Sequence, residues 1–288
     1  MTSIKPDAGI AAPRPRDEDL DFFGLTHPGL VRKENQDHYL YCTLHKTMRV
    51  GGSSLPNREL LELPSQRLVS VGVVADGVGG RAGGEAASRA AIESLAGYVT
   101  QTTNTFYGAD SRNEVSFLDL LQTAARLGHE AVVARAAASG EERSSATTLT
   151  MIVAAWPALY VLHVGDSRCY RFRGGDVELL TRDQTMAQEM VDSGVLKPDQ
   201  AAQSRFAHVL SSSLGGRSSS PVVTRTDLAE GDVILLCTDG LTKHVPDERI
   251  AERLRNLTSS EQACRALVDD ALAGGGSDNV TVVVLRAK

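Results

Sequence analysis

Aspartates that lie beside glycine, serine or asparagine at the boundaries of apolar runs are the residues of this sequence most able to do chemistry. The first follows the apolar run 69–75, where Asp76-Gly77-Val78-Gly79-Gly80 places one carboxylate ahead of a glycine-rich turn. Comparable aspartates border other apolar runs at Asp37, Asp166, Asp239 and Asp278. Each one alone fits a simple turn or a helix N-cap, because Asp and Gly are common at both. Their recurrence on separate elements favours a shared site.

Such a set of carboxylates predicts a site for hard divalent cations. Carboxylates gathered at one edge of a sheet repel each other unless a cation lies among them. The candidate ligands are oxygen atoms without a Cys or His cluster, which favours Mg²⁺ or Mn²⁺ over Zn²⁺. Two such ions about 3.5–4 Å apart can share a bridging carboxylate and activate a water for attack on phosphorus. Asp76 is the best bridging candidate, and Gly77 leaves its carbonyl oxygen free to bind.

The composition argues against several other classes of protein. The 288 residues are 42% hydrophobic and 23% charged, as in a globular protein with its own core. The net charge of −6 argues against non-specific nucleic-acid binding, which depends on Lys and Arg. No apolar run approaches the ~20 residues that span a bilayer, and the N-terminus lacks an apolar signal core. We therefore expect a cytoplasmic monomer that binds neither nucleic acid nor membrane.

Hydrophobic periodicity and turn signals predict one domain over residues 20–288, after a disordered leader over residues 1–19. Helices are predicted at 82–100, 117–138, 247–257 and 260–273, with a short one near 59–63. Structure is predicted to start at 20–25, and strands are predicted at 38–44, 69–75, 147–156, 159–164, 169–173, 177–181, 222–226, 232–237 and 279–285. Because most strands are joined by hairpin turns, we expect an α+β fold in which two antiparallel sheets pack face to face with helix pairs outside.

The segment from 183 to about 220 does not follow this pattern. Two short helices are predicted there, at 186–193 and 198–205, and the stretches 211–216 and 218–220 are rich in serine and glycine. We predict that residues 183–220, the flap, form a mobile insertion between strands.

In their order along the chain, the motifs resemble the metal-dependent protein phosphatase 2C family of bacterial type, over about residues 20–287. They are Arg32 with Asn35-Gln36-Asp37, Ala75-Asp76-Gly77-Val78-Gly79-Gly80, Thr147-Thr148-Leu149, Val164-Gly165-Asp166-Ser167-Arg168, Thr238-Asp239-Gly240-Leu241 and Ser277-Asp278-Asn279. The resemblance implies a four-layer α-β-β-α sandwich with a two-metal site at one edge. It also implies a signalling enzyme that hydrolyses phosphoserine and phosphothreonine in the protein substrates of a serine/threonine kinase, by a metal-bridging water and without a phosphoenzyme intermediate.

The resemblance assigns a role to each candidate residue. It makes Asp76 the bridging ligand, and it places Asp239 and Asp278 on the first metal ion. The Gly77 carbonyl falls on the second ion, and Asp37 holds the waters around that ion. Asp166 matches a position that can hold a third ion together with Asp239. Arg32 matches the phosphate-binding arginine, whose planar guanidinium suits bidentate recognition.

Two residues depart from the family pattern, and they bear on metal binding and on the proton donor. Gln36 stands where many members have Glu, which predicts weaker metal binding near the second ion. Val78 stands where eukaryotic members often have His, so the proton donor to the leaving group is not identified. The proton must then come from metal-bound or bulk water, or from a histidine such as His208 in the flap or His244 after the Asp239 turn. His163 in a strand is expected to be a packed residue.

Other functions remain to be weighed against an active phosphatase. A non-catalytic family member could bind a phosphorylated or unphosphorylated partner and regulate it. A metal-dependent phosphodiesterase or nuclease is disfavoured by the acidic charge balance. The retention of Asp76, Asp239, Asp278 and Arg32 favours catalysis, since a binding remnant has no reason to keep mutually repelling carboxylates.

Overall fold

The computed structural model describes residues 15–48, 63–79, 83–102, 114–140, 145–201 and 203–287. Its strands are β1 Leu20–His27, β2 Asp37–Met48, β3 Leu63–Val78, β4 Ala146–Thr147, β5 Leu149–Ala155, β6 Ala158–Val164, β7 Arg168–Arg173, β8 Asp176–Leu179, β9 Val222–Asp227, β10 Val233–Cys237 and β11 Val280–Ala287. Its helices are α1 Gly83–Gln101, α2 Glu114–Ser139, α3 Met186–Asp192, α4 Pro198–Ala201, α5 Asp239–Thr242, α6 Asp247–Arg255 and α7 Ser260–Ala273. The short helix predicted near 59–63 falls almost entirely outside the described residues.

The strands form two sheets. One has the order β1-β11-β10-β7-β8, and the other has the order β2-β3-β5-β6-β9 with β4 paired to β3. Each strand pair within the described residues is antiparallel. The predicted antiparallel sheets are therefore confirmed. The turn at 165–167 is not a hairpin, however, because β6 and β7 lie in different sheets.

Three apolar clusters hold these layers together. Between the sheets, side chains from β3, β5 and β6 meet those of β10 and β11, and they include Val74, Ile152, Leu159, Ile234, Leu236 and Val283. A second cluster packs α1 and α2 on the outer face of the β2–β9 sheet. The third packs α5, α6 and α7 on the outer face of the β1–β8 sheet. This arrangement confirms the four-layer α+β sandwich, with a core divided by the two sheets.

The predicted leader ends earlier than its boundary at residue 19. Residues Asp17–Asp19 form a short 3₁₀ helix, and the Arg67 guanidinium donates to Asp17 Oδ1 at 2.7 Å and to the Arg16 carbonyl at 3.3 Å. Arg67 itself is buried. Its partners lie about fifty residues earlier in the chain, so local composition could not indicate that this part of the leader is bound to β3.

The flap is also more firmly attached than its composition suggested. Leu214 is fully buried among the side chains of the α1–α2 layer, and its backbone exchanges two hydrogen bonds of 2.9 Å with Thr147. Ser212 Oγ accepts a hydrogen bond from the Ser220 amide at 2.9 Å. Residues 211–216 therefore have fixed partners: the Ser211 and Ser213 amides donate to the carbonyls of Gln184 and Ser218, and Leu214 enters the core. The second flap helix is also shorter than predicted, ending at Ala201.

Within the described residues, every helix is too short or too polar to cross a lipid bilayer.

Candidate metal centre

Strand β3 carries Asp76 to the edge of the sandwich. Asp76 lies directly opposite Asp37 in the β2–β3 pair, which places the two side chains on the same face of the sheet. The Asp76 backbone is fixed by two threonines: its amide donates to Thr148 Oγ1 at 3.0 Å, and its carbonyl accepts from Thr147 Oγ1 at 2.9 Å. Neighbouring strands therefore hold two carboxylates together at one edge.

The other sheet brings two more carboxylates to the same edge. Strand β10 ends at Cys237 and is followed by α5, which begins at Asp239, while Asp278 precedes β11. The two sheets are joined here through Asp37, whose Oδ2 accepts hydrogen bonds from Thr238 Oγ1 at 2.8 Å and Thr281 Oγ1 at 2.7 Å. The edge of the sandwich thus becomes a single acidic cluster with ligands from both sheets.

Lys243 is a charged member of this cluster that the sequence analysis did not single out. It lies one turn of α5 beyond Asp239, and its Nζ contacts Asp239 Oδ2 at 2.6 Å and Asp278 Oδ2 at 2.7 Å. The ammonium group therefore offsets part of the repulsion between those two carboxylates. A helix was not predicted at 239–242, so the i,i+4 spacing that could have revealed this contact was not recognised.

Arg32 approaches the cluster from the loop between β1 and β2. Its guanidinium contacts both oxygens of Asp278, with Nε 2.8 Å from Oδ1 and a terminal nitrogen 3.0 Å from Oδ2. Asn279 fixes this loop, because its Nδ2 donates to the carbonyls of Pro28 and Glu34 and its Oδ1 accepts from the Gln36 amide, all at 2.9 Å. The loop that carries Arg32 is therefore held in place by Asn279, while the Arg32 side chain itself is exposed.

Charge repulsion and burial raise the pKa values of the inner carboxylates. Burial, with Asp37 and Asp239 nearby, raises the pKa of Asp76 well above its ordinary value. Burial raises the pKa of Asp37 to about 7 despite its two threonine donors, and burial together with Asp239 raises that of Asp166 to about 8. Asp278 differs: burial would raise its pKa, but Lys243 and Arg32 lower it.

The donor set fits divalent cations. Among the buried side-chain atoms of the described residues, only Asp37 Oδ1 and Asp239 Oδ1 lack a hydrogen-bond partner. A buried carboxylate oxygen without a donor is costly, and a cation is the usual compensation. Carboxylates, a main-chain carbonyl and few nitrogen groups are the ligands that Mg²⁺ and Mn²⁺ prefer.

Asp166 lies beside the cluster, at the turn between β6 and β7. One oxygen of Asp166, one oxygen of Asp239 and one ring nitrogen of His208 lie within 4.8 Å of one another. These residues line a cavity of about 310 Å³ between the flap and α5. A bidentate ion pair holds the start of the flap beside this cavity: Arg168 donates to Asp183 at 2.9 and 2.8 Å.

The other candidate histidines have structural partners. His244 Nε2 accepts a hydrogen bond from the Ser277 amide at 2.9 Å and contacts Ser277 Oγ at 2.8 Å, so it supports the turn before Asp278. His163 is buried, as expected, and bonds to Thr150 Oγ1 and the Arg182 carbonyl. Val78 is 43% exposed next to the site.

The structure therefore brings all seven predicted residues to one edge of the sandwich: Arg32, Asp37, Asp76, Gly77, Asp166, Asp239 and Asp278. Sequence reasoning missed Lys243 and the threonines that fix the carboxylates. Thr147, Thr148 and Thr238 belong to the sequence motifs, but their donor roles depend on contacts between distant strands.

Comparisons with known proteins agree with this geometry. A family model described as "Protein phosphatase 2C" matches residues 60–274. The serine/threonine protein phosphatase PstP of Mycobacterium tuberculosis is 37% identical over 211 residues, which cover 73% of this chain and 39% of that protein. This chain thus matches about two fifths of that relative's length. The protein phosphatase PhpP of Streptococcus pneumoniae is 28% identical over 267 residues, covering 91% of this chain and 95% of PhpP.

Solved structures show the same similarity in three dimensions. The crystal structure of Mycobacterium tuberculosis PstP/Ppp superposes with a TM-score of 0.74 at 31% identity, covering 93% of this chain and 99% of the other. The catalytic domain of PstP in complex with two manganese ions superposes with a TM-score of 0.71 at 32% identity, covering 93% and 97% of the two chains.

Proposed function

The chain belongs to the protein phosphatase 2C family, and from this premise we propose that it is a metal-dependent protein serine/threonine phosphatase. The observation that carries the proposal is the cluster of four aspartates drawn from both sheets, with Asp166 beside it and two buried carboxylate oxygens that no other described group satisfies. A binding domain has no need of such a strained arrangement, whereas a metal-dependent hydrolase requires it.

Two Mn²⁺ or Mg²⁺ ions fit this site, and the related catalytic domain of PstP is known with two manganese ions. Asp76 would bridge the two ions, and Asp239 and Asp278 would bind the first. The Gly77 carbonyl would bind the second ion, and Asp37 would hold the waters around it. When bound, the ions supply a water made acidic enough to attack phosphorus and charge to stabilise the phosphoryl group. Lys243 Nζ contacts both Asp239 and Asp278, and it would have to lose at least one of these contacts for an ion to bind there.

Arg32 is proposed to bind the phosphate of the substrate. Its guanidinium lies at the exposed rim beside Asp278, and its planar fork can engage two phosphate oxygens at once. The substrates proposed are proteins phosphorylated by a serine/threonine kinase, since the relatives bear the names of serine/threonine phosphatases. A monomeric state and a cytoplasmic location remain predictions from the sequence.

We expect catalysis to require an added divalent ion. Hydrolysis of an aryl phosphate and of a phosphothreonine peptide should be abolished by excess EDTA and restored by Mn²⁺ or Mg²⁺, because the proposed nucleophile is a metal-activated water. The measurement is initial rate against free metal concentration, with metal content determined by elemental analysis. Full activity in excess chelator from protein that contains no metal would refute the proposal, and absence of hydrolysis at every metal concentration would favour the non-catalytic binding alternative.

Arg32→Ala should raise KM for phosphopeptides by about 10- to 100-fold, the equivalent of about 1.5–3 kcal/mol for a hydrogen bond to a charged group. Turnover should fall less, because Arg32 meets phosphate charge already present in the ground state. Lys33→Ala is the matched control, since Lys33 is an exposed cation on the same loop. Equal KM values for the Arg32 variant and the original protein would remove Arg32 from the binding site.

A further inference from the structure

Ser88 connects helix α1 to the backbone around the proposed metal centre. Its side chain is fully buried on the second turn of α1, and its hydroxyl donates to the Gln36 carbonyl at 2.6 Å. The same carbonyl oxygen accepts a hydrogen bond from the Gly77 amide at 3.1 Å. Gln36 directly precedes Asp37, and Gly77 directly follows Asp76. One carbonyl oxygen therefore links α1 to both strands that carry the inner carboxylates.

The Ser88 hydroxyl has a single hydrogen to donate, and several groups surround it. Within α1, the Gly84 and Glu85 carbonyls lie 3.2 and 3.1 Å from Ser88 Oγ, farther than the Gln36 carbonyl. His38 Nδ1 lies 3.0 Å from the same oxygen. We assign the hydrogen to the shortest of these contacts, which leaves Ser88 Oγ to accept from His38 Nδ1. The hydroxyl is thus directed at a partner outside its own helix.

Gln36 is also held from the opposite side. Its amide donates to Asn279 Oδ1 at 2.9 Å, so the turn before β11 fixes the N–H of this residue while Ser88 fixes its carbonyl. The approach of α1 to β3 is close here, since a Cβ atom at Gly84 would lie 2.8 Å from the Gly77 carbonyl oxygen. A displacement of Gln36 would therefore reach Gly77, whose carbonyl is proposed to bind the second ion.

We propose that Ser88 is a positioning residue for the second metal ion: its hydroxyl fixes the Gln36 carbonyl, which holds Gly77 and Asp37 in place around that ion. The inference rests on the proposed function for the presence of the ions. Ser88 acts through the main chain of Gln36, so the link does not depend on the side chain by which this position departs from the family pattern. Without the hydroxyl, the Gln36 carbonyl would keep only the Gly77 donor and would be less firmly held.

Loss of the hydroxyl should affect the two ions unequally. The acids proposed for the first ion alone, Asp239 and Asp278, adjoin strands of the other sheet, whereas the second ion depends on Gly77 and Asp37. Loss of an outer hydrogen-bond partner of a metal site typically costs about 10- to 100-fold in affinity. We therefore expect Ser88→Ala to weaken one of the two Mn²⁺ sites by about 10-fold and to change the other less.

Calorimetric titration of the full chain with Mn²⁺ measures this difference. The Mn²⁺ concentration for half-maximal hydrolysis of an aryl phosphate should rise by a similar factor, while KM at saturating Mn²⁺ should stay unchanged. Ser139→Ala is the matched control, because Ser139 Oγ bonds to the Arg135 and Ala136 carbonyls of its own helix, α2. Ser88→Cys keeps a side chain of similar shape but is a weak donor, so it should behave like Ser88→Ala.

Amide hydrogen exchange of Gly77 in EDTA tests the link without metal or catalysis. In ¹⁵N-labelled protein, Ser88→Ala should speed exchange of this amide by about fivefold, the equivalent of about 1 kcal/mol for one hydrogen bond. Mn²⁺ affinities or Gly77 exchange equal to those of Ser139→Ala would overturn the inference, and so would a Ser88→Cys variant that behaves like the original protein. A protein whose Mn²⁺ binding depends on Ser88 but which hydrolyses no phosphate would refute the proposed function and leave this inference standing.

Discussion

Asp76→Asn is expected to reduce turnover by about 10³-fold or more while raising the melting temperature of the protein in chelator. The loss of turnover follows because a bridging carboxylate positions both ions, which together supply several kcal/mol of stabilisation. Each ~1.4 kcal/mol of that stabilisation corresponds to a factor of ten in rate. The amide has no charge to offer the ions, although it keeps the shape of the carboxyl group.

The gain in stability follows from the pKa values of the cluster. A carboxyl whose pKa is raised in the folded protein holds a proton that the unfolded chain releases near pH 4. Its contribution to stability is therefore complete below pH 4 and is lost as the pH rises through the folded pKa, about 7 for Asp37 and about 8 for Asp166. Without metal, the protein should become less stable between pH 4 and 8, and Asp76→Asn should reduce that loss.

Thermal unfolding in EDTA across this pH range, beside initial rates in Mn²⁺, measures both effects. For a domain of this size about 1 kcal/mol corresponds to about 2–4 °C in Tm, so a change of several degrees is expected at pH 8. Asp119→Asn is the matched control, because Asp119 is exposed on α2, away from the site. Turnover within tenfold of the original would remove Asp76 from the catalytic centre, and a lower Tm in EDTA would show that the carboxylates do not strain the fold.

Gly77→Ala is expected to destabilise the protein and abolish activity together, whereas Gly97→Ala should stabilise it slightly. A Cβ atom at Gly77 would lie 2.2 Å from the Gly84 carbonyl oxygen and 2.7 Å from the Gln36 carbonyl oxygen. Both neighbours are backbone atoms, so α1 or the loop before β2 must move. Such overpacking costs about 1–3 kcal/mol, and it would displace Asp37 and the Gly77 carbonyl with it.

Gly97 provides the contrast within the same chain. It lies in α1, and a Cβ atom there would meet nothing within 4 Å. Alanine should then gain about 0.5–1 kcal/mol, because glycine in a helix loses more conformational entropy. Thermal unfolding and turnover of the two variants form the measurement. If Gly77→Ala and Gly97→Ala give the same Tm and the same turnover, then the site does not depend on the close approach of β3 to α1.

Local sequence determined most of the architecture and the identity of the acids. The helix predicted at 260–273 has the same bounds in the structure, because Ser259 caps its first turn and accepts from the Gln262 amide. Strands alternating with glycine turns likewise predicted the antiparallel sheets. The aspartates were recognisable because each borders an apolar run, and their order along the chain indicated the family.

Tertiary structure alone decided how those acids are partnered. Lys243 meets Asp239 and Asp278 because these acids adjoin the neighbouring strands β10 and β11. His208 lies near Asp166 because residues 206–209 bond to the first turn of α3. Arg67 similarly binds the end of the predicted leader, and Leu214 anchors the flap in the core. Hydrophobic periodicity and turn chemistry depend on residues that are near neighbours in sequence, so they predict helices, strands and turns. Charges and buried side chains meet across long stretches of chain, and these contacts exist only after the layers have packed.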